Sequence, residues 1–476
     1  MRSGEVLSSE QIEQIRDASE AILERAGCRV PDERALDLFR KAGARVDAPS
    51  GRVWLPRPLL KELVAQAPSR YEIAGLDGMV REVGDGRQRG LAITNDPWIV
   101  DYSTGQPRRP CTEDVRRNTI IGQSLEGVSA LSCMDFPMSD VPGAHSSLRA
   151  LEVHLLHHAK HNFAYATSVP SLKRWLRIGR ILARGGELRG SRLLSVAVAT
   201  LTPLTVSAMN VEFLRIACEH DLPIIPTVCP TAGMTSPYTL AGTLALAHAE
   251  ILFLVAMAQL HRSGHPLLYA TGPAVGSMRN GACLYYTLDK VLWKLAAVQL
   301  GRSCGLPVSA ECGGSMVHRF DPQSGAEGML FMLAAVASGA DVLAGFGSTH
   351  NAVGHSTEMM LIQDAYAEAA RHLRRGIPTD AARLAVERAV RVGPGGEYLT
   401  DPSTLDHLRR GEFFDHEVFD HTGDSMQSRS MLERAHEMAE SLVAGFRSPV
   451  PGDVRESLER FFHEETGGNG NPSPSC

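Results

Sequence analysis

Aromatic residues are scarce in this 476-residue chain, at 6 % against 43 % hydrophobic residues overall. Charge of neither sign dominates: 48 Lys and Arg face 54 Asp and Glu, a formal charge of −6. Without a Lys/Arg-rich run, the chain lacks the electrostatic footprint of a nucleic-acid binder. No 18-residue apolar run is uninterrupted; the richest window, 239–259, carries His248 and Glu250, so no membrane-spanning helix is expected. The N-terminus carries acid early and reads as neither a secretory signal nor a transit peptide. Nine cysteines (Cys28, Cys111, Cys133, Cys218, Cys229, Cys283, Cys304, Cys312, Cys476) are scattered and form no CxxC. That pattern suggests reduced cytosolic thiols, not a disulfide frame or a thiolate zinc site. A cytoplasmic globular protein is expected.

What is present is a rhythm. At ~150 residues per domain the length would suggest about three domains, but α/β barrels run longer as one unit. From residue 90 a short β-branched run alternates with a longer helical pattern. The strand candidates are 90–94, 128–134, 163–168, 193–200, 222–228, 266–271, 306–311 and 341–346. The helical stretches are 113–126, 146–160, 171–185, 207–220, 239–262, 287–303, 324–338 and 356–374. The strands are mostly apolar on both faces, as buried parallel strands are. Eight βα units in order predict a (β/α)8 TIM-type barrel over 90–376. The rival, an open doubly wound sheet, is weakened because neither GxGxxG nor GxxxxGK[ST] follows any strand. Residues 1–89 are expected as an N-terminal helical extension and 377–464 as a C-terminal one. The stretch 465–476 lacks core formers and is expected to be disordered.

A barrel carries its chemistry just after the strands, at the C-terminal mouth. Those positions hold Asp96 and Trp98, Asp135, Tyr165, Thr202, Thr227 and Cys229, Tyr269 and Thr271, Glu311 and Cys312, Phe346, Ser348 and His350. Phosphate chemistry would need cations beside the glycines at 313, 314, 345 and 347, and the nearest is Arg319. A Schiff-base lysine is missing from all eight strands. The mixture instead suits a cationic ligand: aromatic faces at Trp98, Tyr165, Tyr269 and Phe346, with Asp96, Asp135 or Glu311 nearby. Each aromatic taken alone reads as packing; the set is what suggests a cage.

His154, His158 and His161 stand at i, i+4 and i+7, a spacing that could hold zinc on one helix face. No HExxH accompanies them and the helix end leads away from the mouth, so a polar interhelical face is the simpler reading, and no metal is expected. Lys160 reads as structural by the same placement. Cys229 and Cys312 read as inert thiols unless a histidine lies beside them.

Several segments resemble the trimethylamine methyltransferase family. They are Leu7-Ser-Ser-Glu-Gln-Ile-Glu-Gln-Ile15, Ala21-Ile-Leu-Glu-Arg-Ala-Gly27, and Asp101-Tyr-Ser-Thr-Gly-Gln-Pro-Arg-Arg109 leading into Asp114. The most specific is Thr231-Ala-Gly-Met-Thr-Ser-Pro-Tyr-Thr-Leu-Ala-Gly-Thr243, then Ala249-Glu250 and Ala258-Gln-Leu260. Asp321-Pro-Gln-Ser-Gly-Ala-Glu327, Ser356-Thr-Glu-Met-Met360 and Tyr398-Leu-Thr complete the set. The resemblance implies a (β/α)8 methyltransferase that moves a methyl group from an amine to the cobalt of a separate corrinoid protein. In trimethylamine members a pyrrolysine occupies the loop after the seventh strand. Here that loop reads Gly313-Gly-Ser-Met-Val-His-Arg-Phe-Asp321, with His318 or Arg319 at the special position. The departure points to the branch acting on quaternary amines such as glycine betaine.

The candidate catalytic residues are thus His318, Arg319 and Glu311, and the candidate substrate-binding residues Trp98, Asp96, Tyr165, Tyr269, Phe346 and His350. A betaine carboxylate would need a donor, from His350, Arg319 or His318, with Arg279 behind them. No Asp-x-His-x-x-Gly occurs to ligate cobalt, so the corrinoid (cobalamin) is expected on a partner protein docked over the mouth; a homo-oligomer is compatible. Alternatives are the same chemistry on carnitine, proline betaine, dimethylsulfoniopropionate or trimethylamine, a barrel that binds methylated amines without turnover, and a zinc hydrolase using the three histidines.

Overall fold

The computed structural model describes residues 4–424, 426 and 428–466. Seven parallel strands form one curled sheet: β1 (Arg89–Asn95), β2 (Val128–Cys133), β3 (His161–Ala164), β4 (Leu194–Ala199), β5 (Ile224–Thr227), β7 (Ser309–Glu311) and β8 (Val342–Phe346). Their order is β5-β4-β3-β2-β1-β8-β7. The gap between β5 and β7 is closed by a short strand β6 at 267–269, bridged to Ile224 on one side and Val308 on the other. Leu268 N donates to Ile224 O (2.9 Å), Tyr269 N to Pro307 O (2.8 Å) and Ser309 N to Tyr269 O (2.9 Å). The barrel is therefore an eight-stranded (β/α)8 fold. Its sixth strand is shorter than expected because beyond Tyr269 the chain turns to β5, where Gly272 N bonds Val228 O (2.9 Å).

Eight helices follow the strands: α1 (Thr112–Ser124), α2 (Ser146–Leu156), α3 (Val169–Leu182), α4 (Ala208–His220), α5 (Leu240–His261), α6 (Lys290–Ser303), α7 (Pro322–Ser338) and α8 (Thr357–Arg375). Side-chain caps set several starts, as the local sequence requires: Ser168, Ser207, Thr239, Asp321 and Ser356 each accept from a backbone N–H of the first turn. Helix α2 stops at Leu156, four residues before the expected end. His161 consequently lies in β3, where its ring bonds Arg192 O (2.8 Å) and Ser195 Oγ (2.9 Å). The three-histidine helix face does not form. Among the described residues, no group of three or more His, Cys, Asp or Glu side chains is arranged to hold a metal ion.

Helix α5 is long and apolar enough to cross a membrane, with a mean hydropathy of 1.9 in its richest window. It is apolar on every side because it is covered on every side. Its inner face meets the barrel; its outer face meets the N-terminal helices Ser9–Arg25 and Glu33–Lys41. Ser19 Oγ donates to Ala245 O (2.8 Å), and the Phe39 and Phe253 rings stack at 5.1 Å.

The N-terminal layer is not purely helical. It contains a three-stranded antiparallel sheet of Cys28–Arg29, Arg52–Trp54 and Arg45–Asp47, and a hairpin of Tyr71–Ala74 with Val80–Val83. Strands of two to four residues carry too little alternation to show in sequence. The hairpin has a clear purpose: Tyr71, Ile73 and Val83 pack with Leu91, Ala130, Phe163, Ala197, Leu268 and Val342, the lower layer of the barrel interior. It seals the N-terminal end.

The C-terminal helices Met431–Gly445 and Gly452–Glu465 pack on the barrel's outside, with Arg117 paired to Glu440 and Arg174 to Glu465 (3.2 Å). Glu465 thus belongs to a helix rather than to the expected tail, whose residues from 467 onward lie outside the described part. Cys28, Cys133, Cys218, Cys229, Cys283, Cys304 and Cys312 are free thiols.

Candidate active site

Successive residues of a strand face opposite sides, so each barrel strand sends alternate side chains inward. Leu91 and Ile93, Ser132 and Met134, Phe163 and Tyr165, Ile225 and Thr227, Leu268 and Ala270, and Ser309 and Glu311 obey this spacing of two and line a cavity of about 420 Å³ at the mouth. Asp96, Cys229, Tyr285, Tyr286 and Asn351 complete its upper wall. The lower wall is mainly hydrocarbon, interrupted by the Ser132 and Ser309 hydroxyls, and the ionisable groups lie at the rim.

Three of the expected site residues reach the cavity: Asp96, Tyr165 and Glu311. The other six do not. Tyr269 has the opposite parity to Leu268; its hydroxyl bonds His248 Nδ1 (2.8 Å) on α5, outside the barrel. Phe346 shares the parity of Ala344, but a bulge between them rotates it into the core, where it is fully buried. Trp98 lies under the Arg109 guanidinium (4.1 Å), away from the cavity. His318 and His350 meet edge to face at 5.3 Å beside the mouth, and Arg319 pairs with Asp321 (3.0 Å) in solvent.

The missing cations come from outside the strands. Lys290 and Lys294, one turn apart at the start of α6, point toward Glu311. Lys290 Nζ is 2.9 Å from Glu311 Oε2 and 2.9 Å above the centre of the Tyr285 ring. It also donates to Pro273 O (3.2 Å). The Tyr285 hydroxyl donates to the other oxygen of Glu311. Lys294 Nζ lies 4.2 Å over the Phe331 ring with no hydrogen-bond partner. Burial would raise the Glu311 carboxyl, but the two ammonium groups outweigh it and hold the carboxyl below its ordinary value. Burial brings Lys294 down to about 7.

Two glycines make room for this assembly. A Cβ at Gly272 would occupy the place of the Tyr285 hydroxyl, and one at Gly314 (φ +121°) the place of the Tyr286 ring. The Gly313-Gly314 turn therefore receives an aromatic ring. Sequence reading missed Tyr285, Tyr286, Lys290 and Lys294. The signal was available: two lysines one turn apart at the head of a mainly apolar helix, four residues after a tyrosine pair.

Asp96 behaves differently from Glu311. It is 3 % exposed, its Oδ2 has no partner, and burial pushes its carboxyl up to about 8. Cys229 faces the same space, with its thiol pushed up to about 11 by burial and by Glu311; a thiol so far from ionisation is a poor nucleophile. The segment roofing the cavity has three successive left-handed residues, His350 (φ 47°), Asn351 (55°) and Ala352 (63°). Asn351 holds it down, accepting from Tyr285 N (2.7 Å) and donating to Cys283 O (2.7 Å). Such strain persists only where surrounding bonds enforce it.

The segments that carried the family resemblance have structural jobs around this site. Glu250 accepts from the Thr200 and Thr202 hydroxyls (2.8 and 2.7 Å) and Leu204 N (2.7 Å), pinning the loop after β4. Glu327 accepts from Ser315 Oγ, Met316 N and Gln323 Nε2 (each 2.8 Å), holding the loop after β7.

Residues 1–468 match the family described as Trimethylamine methyltransferase (MTTB). The chain is 25 % identical over 473 residues to the glycine betaine methyltransferase of Desulfitobacterium hafniense (strain Y51), covering 96 % of each chain. It is 24 % identical over 464 residues to the trimethylamine methyltransferase MttB of Desulfitobacterium hafniense (strain DSM 10664 / DCB-2), covering 96 % of this chain and 93 % of that one. Among solved structures, the monomethylamine methyltransferase MtmB of Methanosarcina barkeri aligns over 91 % of this chain and 92 % of its own, at 15 % identity and a TM-score of 0.46.

Proposed function

Since the chain belongs to the trimethylamine methyltransferase family, we propose that it transfers a methyl group from a quaternary amine, bound in the mouth cavity, to a corrinoid carried by a separate protein. The observation that carries this reading is the cavity itself: mostly apolar walls, the aromatic rings of Tyr165, Tyr285 and Tyr286, and an unpartnered buried carboxyl at Asp96. Those are the elements of a cage for an onium ion. The loop after β7 carries standard residues throughout, which favours substrates that need no covalent activation.

A cobalt(I) corrinoid on the partner supplies the nucleophile that accepts the methyl group. This chain's task is binding, alignment and exclusion of water. In a quaternary ammonium the departing amine leaves neutral, so no proton has to be delivered. Positive charge disappears from nitrogen as the bond breaks, so a carboxylate in direct contact would favour substrate over transition state. Aromatic faces and a mostly apolar wall bind the cation with a smaller penalty of that kind, and Glu311 is already neutralised by Lys290. The rim suits a protein partner: Leu201, Met234, Tyr238, Met278 and Leu288, on loops after β4, β5 and β6, are 52–61 % exposed.

The test is methyl transfer to cobalt(I) cobalamin or the cognate corrinoid protein, followed by absorbance, with quaternary amines and trimethylamine compared side by side. Transfer from quaternary amines alone is expected. Binding without transfer to either acceptor would reduce the chain to a methylated-amine-binding barrel.

A further inference from the structure

Resting on that reading, we infer that the substrate is a quaternary cation without a carboxylate, its remaining substituent an extended apolar or hydroxylated chain. The cavity asks for charge of one sign only. Among the described residues, no Arg, Lys or His lines it. The groups that would have met a carboxylate are elsewhere: Arg319 faces solvent, His318 and His350 pack on each other, and Arg279 is exposed. Lys290 is committed to Glu311, and Lys294 stands behind Tyr286 against Phe331.

Several of the neutral donors are occupied, although the Ser132 hydroxyl has no partner; what the wall lacks is a cation. Thr271 Oγ1 donates to Val228 O (2.8 Å), Ser309 Oγ to Val342 O (3.2 Å), Tyr285 to Glu311 and the Asn351 amide to Cys283 O (2.7 Å). A carboxylate entering this space would lose its hydration shell without an ion partner, and would face the ionised Glu311. Burying such a group is expensive. An onium meets the opposite situation. Asp96 Oδ2, buried and without a hydrogen-bond or ion partner, is an acidic oxygen in the wall left for it. The volume of about 420 Å³ lies within the ~300–1,000 Å³ of sites that enclose whole organic molecules, so a short trimethylammonium fragment leaves much of it empty.

Isothermal titration calorimetry with a matched pair tests this: butyltrimethylammonium against 4-(trimethylammonio)butyrate, which differ only in the terminal carboxylate. The unaltered chain should bind the cation about tenfold more tightly or better, since only the zwitterion brings an uncompensated anion into the cavity. Asp96→Asn should remove most of that preference by weakening cation binding and leaving the zwitterion nearly unchanged. Equal or tighter binding of the zwitterion overturns the inference while leaving a quaternary-amine enzyme in place. Binding of neither overturns the inference together with the reading on which it rests. The ligand pair needs no variant, so the test stands even if Asp96→Asn fails to fold.

Discussion

The two ends of this barrel both bury lysine, and they do so in opposite ways. At the closed end Lys160 donates from Nζ to Gly122 O (2.8 Å) and Leu125 O (2.5 Å), the last carbonyls of α1. Its bonds complete a helix end. At the open end Lys290 and Lys294 surround Glu311, Lys294 has no hydrogen-bond partner, and Asp96 Oδ2 has none across the cavity. Burial with hydrogen-bond partners in place marks architecture. Burial that leaves charged atoms unmatched costs free energy, and a fold keeps it where a ligand or a reaction makes use of it.

Removing Glu311 should break the open end most severely. Glu311→Gln leaves two buried ammonium groups unopposed, and loss of one partner of such a pair costs ~3–5 kcal/mol. A large fall in the unfolding midpoint and loss of methyl transfer are expected from thermal melts and initial rates. Lys160→Met is the counterpart: stability should fall by ~1–3 kcal/mol as two carbonyls lose their donor, with kcat/KM of the folded enzyme unchanged. A kinetic effect there would erase the distinction between the two ends.

A smaller contrast separates two tyrosines. Tyr285→Phe removes the hydroxyl bound to Glu311 at the cavity wall, and a hydrogen bond to a charged group is worth ~1.5–3 kcal/mol, so kcat/KM should drop by about one to two orders of magnitude. Tyr269→Phe makes the identical change on the outer face, against His248, and should lower stability by ~1 kcal/mol with the kinetics intact.

The smallest effect is graded rather than all-or-none. The Asp96 carboxyl, pushed up to about 8 by burial, is protonated at neutral pH in the empty cavity. A cation binds its ionised form, so binding must release that proton. Affinity should therefore rise by up to about tenfold per pH unit below 8 and level off above it. Lys294, brought down to about 7, loses its charge over part of the same range and acts in the same direction. Glu311 is held below that range, and burial pushes Tyr285 and Tyr286 well above it. Calorimetry in buffers of different ionisation enthalpy measures the released proton, and Asp96→Asn should abolish that share of the pH dependence.

Much of the architecture was readable in advance, because periodicity and caps are local properties. The eight helices after the strands fall within a few residues of the expected ranges, and the Thr231–Thr243 segment announces α5 through its cap, Thr239. Errors arose where one residue's direction mattered. Position near the end of a strand points Tyr269 to the mouth, although Leu268 and Ala270 hold the inward parity. Phe346 had the correct parity and lost it to a bulge that nothing in the local sequence declares. His161 left its expected helix because α2 ended early.

By itself the sequence determined the barrel, the family and the loops that frame the mouth. Short-range hydrogen-bond needs and hydrophobic alternation specify those, and they are written residue by residue. Only the tertiary structure decided what the cavity contains. The Lys290–Glu311–Tyr285 cluster joins the loop after β6, the start of α6 and the end of β7, and Asp96 keeps a free oxygen only because no donor in the folded wall bonds it. Charge pairing and its absence are properties of neighbours in space, so they appear only once the chain has closed on itself.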